Sequence, residues 1–87
     1  MEKLKILIAD DHALLRDGLK ALVNEQPDME VVGEADNGKT ALEQAKKLQP
    51  DIILMDISMP EVNGNEPYFD SDAYLAQVRN KIETYYY

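Results

Sequence analysis

The apolar positions of this chain alternate between two spacings. Residues 4–8, LKILI, are a short apolar run of strand length that ends in ADD. Residues 13–25, ALLRDGLKALVNE, place Leu15, Leu19 and Leu22 at helical spacing, and Leu14 and Val23 widen the stripe into an amphipathic helix. The QPD at 26–28 stops that helix, because the residue before a proline avoids the α region. Residues 30–35, EVVGEA, predict a second strand, and the DNGK that follows is a turn signal. Residues 39–48, KTALEQAKKL, line up Ala41, Ala45 and Leu48 on one face of a second helix, stopped by a second QPD at 49–51. IILM then predicts a third, fully apolar strand ending at Asp56.

The order is strand, helix, strand, helix, strand. Continuous apolar strands alternating with helices indicate a parallel sheet covered on both faces. Right-handed crossovers place the first strand in the middle. The fold expected is therefore α/β, a flavodoxin-like half with a three-stranded parallel sheet in the order 2-1-3.

Composition changes that picture after Gly64. All six aromatic residues lie beyond it, at Tyr68, Phe69, Tyr74, Tyr85, Tyr86 and Tyr87. Leu75, Val78, Ile82 and Tyr85 recur at helical spacing, and Asp70, Ser71 and Asp72 are candidate N-caps. Two segments are expected: a unit over residues 1–64, and an aromatic-rich segment over 65–87 that adds a helix at 72–84 to the same core. TYYY at 84–87 extends that helix, frays or pairs as a strand.

Charge and cysteine content exclude some function classes. The net charge is −8, from 17 acids against 9 bases, so general attraction to nucleic acid is not expected. No cysteine is present for disulfides or thiolate metal sites, which suits a cytoplasmic setting. No apolar run approaches the roughly 20 residues that span a bilayer, and the N-terminus reads as neither a signal nor a transit peptide.

The chemistry concentrates in carboxylates. Asp10 and Asp11 end the first strand and Asp56 ends the third. In parallel α/β sheets, ligands bind beyond the carboxyl ends of the strands where strand order reverses. Acids at strand ends are common loop residues, but a pair plus a third acid on the adjacent strand is a more specific arrangement. Carboxylates this close raise one another's pKa unless a cation neutralises them. Mg²⁺ suits such a site, since it takes one or two carboxylates and keeps several waters. An Asp beside it can serve as nucleophile toward a phosphoryl group.

Residues 4–64 resemble the N-terminal half of a response-regulator receiver domain. ILIADDHALLRDGL followed by ILMDISMPEVNG is similar to the subgroup that carries a helix-turn-helix output domain. The resemblance implies that Asp56 is the phosphoacceptor. It implies that Asp11, Asp56 and the backbone carbonyl of Ser58 hold Mg²⁺, with Asp10 acting through water; three acids with no Lys to balance them make weak binding the expectation. Pro60 and Gly64 match the turn after the third strand, and His12 matches the subgroup's DDH without a role in chemistry. A histidine kinase or a small phosphodonor is the partner implied.

Residues 65–87 lack the strand-end Ser or Thr and the Lys of a full receiver. The expectation is thus a truncated receiver-like domain of phosphorelay signalling, not an enzyme, that retains its acid pocket and has lost its output. The alternative is an engineered or chimeric structural domain without activity. With a fourth strand missing, the outer edge of the third invites a homodimer through that edge. The rival arrangement folds TYYY or PYF back as a short edge strand.

Overall fold

A computed structural model of the 87-residue chain describes residues 3–57 and 82–87. The elements are β1 (Leu4–Ala9), α1 (Ala13–Asn24), β2 (Met29–Ala35), α2 (Gly38–Leu48), β3 (Ile52–Met55) and β4 (Glu83–Tyr86). The sheet is parallel throughout, with strand order β2-β1-β3-β4. The flavodoxin-like α/β architecture holds, with one strand more than the apolar pattern predicts.

That strand corrects two expectations. Glu83 and Thr84, assigned by their spacing to the end of a helix, lie in β4, and Ile82 is buried just before it. Residues 72–81 of the predicted helix lie outside the described residues. The second correction concerns assembly. β4 occupies the outer edge of β3 from Ile52↔Glu83 to Met55↔Tyr86, so the unpaired edge that would join two copies does not exist. The physical reason is that a strand edge is satisfied only by another strand's backbone groups, and ETYY is strand-forming in composition.

β1 and β3 alternate between the two faces of the sheet. Leu7, Ala9, Ile53 and Met55 join Ala35, Ile82 and the α2 residues Ala41 and Ala45 in one buried cluster, with Leu42 against it. Ile6 and Ile8 are buried on the opposite face. Small residues on α2 let the helix sit close to the sheet. Asn37 caps it by accepting the Thr40 N–H at 2.8 Å. Gln49, left-handed at φ 50°, ends it.

α1 turns only part of its predicted stripe, Leu19 and Val23, to the sheet. Leu14, Leu15 and Leu22 are exposed, whereas Arg16, Leu19, Lys20 and Val23 are half-buried. The cause is electrostatic. Arg16 donates to Glu34 at 2.8 Å and to the Asp10 backbone carbonyl at 2.6 Å, and Lys20 donates to Glu34 at 2.6 Å. Charge-assisted bonds to β2 and to the end of β1 fix the rotation of the helix.

Those bonds make a pH prediction. Lys20, and then Arg16, hold the Glu34 carboxyl below its ordinary pKa of 4.5. A carboxyl depressed in the folded state stabilises fully above its unfolded pKa, and the contribution is lost as pH falls through the folded value. Glu34→Gln should therefore lower the melting temperature at neutral pH and flatten its decline below about pH 4.5. Parallel melting curves for both chains from neutral to acid pH check this, and an unchanged acid limb would refute it.

Candidate functional site at the carboxyl ends of the strands

Register brings the site together. Ala9 pairs with Ala35 on one side and Met55 on the other, and Met55 pairs with Tyr86. The residues that follow these strands therefore emerge side by side. Backbone bonds lock them there: Asp10 N–H donates to Ala35 O at 2.9 Å, and Asp56 N–H to Ala9 O at 2.9 Å.

Asp10 is fully buried, Asp56 is 7% exposed and Asp11 is exposed. Each offers a carboxylate oxygen, and these atoms lie within 4.8 Å of one another and of a ring nitrogen of His12. The structure thus gathers the three predicted acids in one place. Ser58, Pro60 and Gly64 lie outside the described residues.

His12 is more involved than the sequence suggests. It occupies the N-cap position of α1, yet its side chain makes no cap bond. Instead Nδ1 sits 2.9 Å from Asp10, 3.2 Å from Asp11 and 3.4 Å from Asp56. The hydrogen bond with Asp10, and then the charge of Asp11, raise the His12 pKa, which favours the imidazolium as counter-ion to the three acids.

Asp10 departs from the upward shift expected of crowded carboxylates without a neutralising cation. Burial does push its pKa up, but donors outweigh burial, and the net shift is downward. The His12 backbone N–H donates to Oδ1 at 2.8 Å, and the Tyr87 hydroxyl donates to Oδ2 at 2.7 Å. A carboxylate that accepts several hydrogen bonds is stabilised in its charged form.

Tyr87 is the residue that sequence reasoning missed. Its N–H donates to Met55 O and its C=O accepts from Ile57 N–H, both at 3.0 Å, so its backbone continues the β3–β4 ladder. Desolvation, and then the bond to Asp10, raise its phenol pKa, so the group is a neutral donor. Nothing local to YYY could announce a contact 77 residues away.

Comparison with known proteins shows the family. Residues 6–69 match the response regulator receiver domain, and the chain belongs to that family. It is 44% identical over 80 residues to the transcriptional regulatory protein YdfI of Bacillus subtilis (strain 168), covering 92% of this chain and 34% of that protein. It is 51% identical over 65 residues to the nitrate/nitrite response regulator protein NarL of Escherichia coli (strain K12), covering 75% of this chain and 30% of that protein. The response regulator domain of Thermotoga maritima CheB superposes with a TM-score of 0.79 at 36% identity, covering 98% of this chain and 61% of that one. The chain spans about a third of the length of those two curated relatives. Among the described residues, no helix is long and apolar enough to cross a membrane.

Proposed function

We propose that the chain acts as a phosphoacceptor in two-component signalling, with Asp56 receiving the phosphoryl group in a cytoplasmic setting. The observation that carries the reading is the convergence of Asp10, Asp11 and Asp56 at the carboxyl ends of β1 and β3, with ligand atoms within 4.8 Å of one another. The donor set fits a hard divalent cation, since it supplies carboxylate oxygens and no thiolate. Asp11 and Asp56 would hold Mg²⁺ directly, Asp10 would act through water and the Ser58 carbonyl would complete the protein's share. Bound there, Mg²⁺ would neutralise charge on the transferring group.

The chain's own residues do the rest. The bond from Asp56 N–H to Ala9 O fixes the acceptor's backbone. A carboxylate oxygen of Asp56 attacks the phosphorus of a phosphodonor. The bond from phosphorus to the donor's leaving atom breaks, and an acyl phosphate remains on Asp56. Asp10, whose Oδ1 accepts the His12 backbone N–H at 2.8 Å, keeps the pocket negative and favours a cation. The donor is a phosphohistidine on a histidine kinase or a small phosphorylated molecule.

Incubation with acetyl phosphate and Mg²⁺ followed by intact-mass measurement tests the reading. A single acid-stable, base-labile phosphoryl adduct is expected on the intact chain, and none on Asp56→Asn. An adduct that persists in Asp56→Asn, or none on the intact chain, would reject Asp56 as acceptor.

A further inference from the structure

Asp10 and Tyr87 form a contact that the phosphoacceptor reading does not use. Asp10 is fully buried, and both its oxygens are engaged. Oδ1 accepts from the His12 backbone at 2.8 Å and lies 2.9 Å from His12 Nδ1, while Oδ2 accepts the Tyr87 hydroxyl at 2.7 Å. Oδ2 is thus the oxygen on the β4 side, and a phenol covers it.

We propose that Tyr87 is a removable cap on the acidic pocket, whose hydroxyl competes with a divalent cation and its waters for Asp10 Oδ2. The inference rests on the reading of the pocket as a divalent-cation site. A hydroxyl 2.7 Å from that oxygen would compete there with an ion-held water. The contact is firm enough to matter, because a hydrogen bond to a charged acceptor is among the stronger kinds. It is also reversible at small cost to the fold. Tyr87 remains 41% exposed, so its ring can swing toward solvent by side-chain rotation. The two backbone bonds that hold Tyr87 to Met55 and Ile57 need not break. Cation entry and the Tyr87–Asp10 bond then exclude one another, and β4 reports pocket occupancy through a side chain. By linkage, the cap weakens cation binding by the same factor with which bound cation weakens the cap.

A purely structural tie between β4 and β1 makes a different prediction. It would lower stability when removed and leave cation affinity alone. Mg²⁺ titrations of the intact chain and of Tyr87→Phe, followed by calorimetry and by the amide and ring resonances of Tyr87, separate the two. Melting curves without cation first establish that Tyr87→Phe folds, and Asp56→Asn is carried alongside. The cap predicts that Tyr87→Phe binds Mg²⁺ roughly 10-fold more tightly, the factor for one charge-assisted hydrogen bond. It also predicts that the Tyr87 ring resonances of the intact chain shift on titration. Binding of equal or lower affinity in Tyr87→Phe, lost in Asp56→Asn, overturns the cap and leaves the cation site standing. Absence of binding to either chain through the millimolar range overturns both.

Discussion

Leu7→Ala is expected to lower the melting temperature by about 12–30 °C. Leu7 is fully buried in the middle of β1, between Gly33 on β2 and Ile53 on β3. Leu-to-Ala changes in cores cost about 3–5 kcal/mol, more where neighbours cannot move in to fill the space. Here the neighbours are poor fillers. Gly33 has no side chain, and a methyl group built on it would already meet Leu48 Cδ1 at 2.5 Å and Leu7 Cδ1 at 3.3 Å. The facing α2 residues Ala41 and Ala45 are short. A chain of this length has a total stability on the order of 4–13 kcal/mol, so a loss of about 3–4 kcal/mol leaves it near its threshold. Each kcal/mol moves the midpoint by about 4–8 °C in a domain of this size. Leu14→Ala is the comparison, because Leu14 is 86% exposed on α1 and its truncation should change the midpoint by no more than a degree or two. Thermal denaturation of the two variants beside the parent decides it. A loss below about 1 kcal/mol for Leu7→Ala would mean that the sheet repacks around the gap.

Sequence pattern reaches some of this architecture and not the rest, and the division has physical causes. Strands fully buried in a parallel sheet must be apolar without interruption, so KILIA and IILM announce themselves, and the acids that stop them mark the site. α2 was legible because its small apolar face, the DNGK turn before it and its QPD stop are local signals. The rotation of α1 was not. Its leucines form the better stripe on a helical wheel, yet Arg16 and Lys20 face the sheet because Glu34 stands on β2, and that partner is invisible until β2 is placed. β4 was left open between helix, frayed end and edge strand for the opposite reason. Ile82 and Tyr85 sit at helical spacing, but TYYY is rich in strand-favouring residues, and the open edge of β3 settles its state from a distance. The cluster of Asp10, Asp11 and Asp56 could be read from strand ends alone. The roles of His12 and Tyr87 in it depend on side-chain directions that no spacing rule supplies.

Tyr85→Pro is expected to detach β4 and turn the chain into a self-associating one. In the parallel ladder, the N–H groups of Glu83 and Tyr87 face β3, donating to Asp51 O at 3.2 Å and Met55 O at 3.0 Å. By the alternation of a strand, Tyr85, paired with Leu54, directs its N–H the same way, and Tyr86 directs its own outward. Proline at 85 removes the central donor and thrusts its ring at β3, whereas proline at 86 replaces an outward N–H at a sheet edge, where proline is tolerated. With β4 gone, β3 presents unpaired backbone groups along IILM, a segment with neither charge nor proline to blunt it. Such an edge is a template for a second chain. Sedimentation equilibrium across micromolar concentrations should therefore show the weight-average mass of Tyr85→Pro rising with concentration. Tyr86→Pro should keep the profile of the parent. Adding Leu54→Lys to Tyr85→Pro places a charge on the freed strand and should reduce the association. A Tyr85→Pro chain whose mass profile matches the parent's would mean that β4 is not what keeps the β3 edge closed.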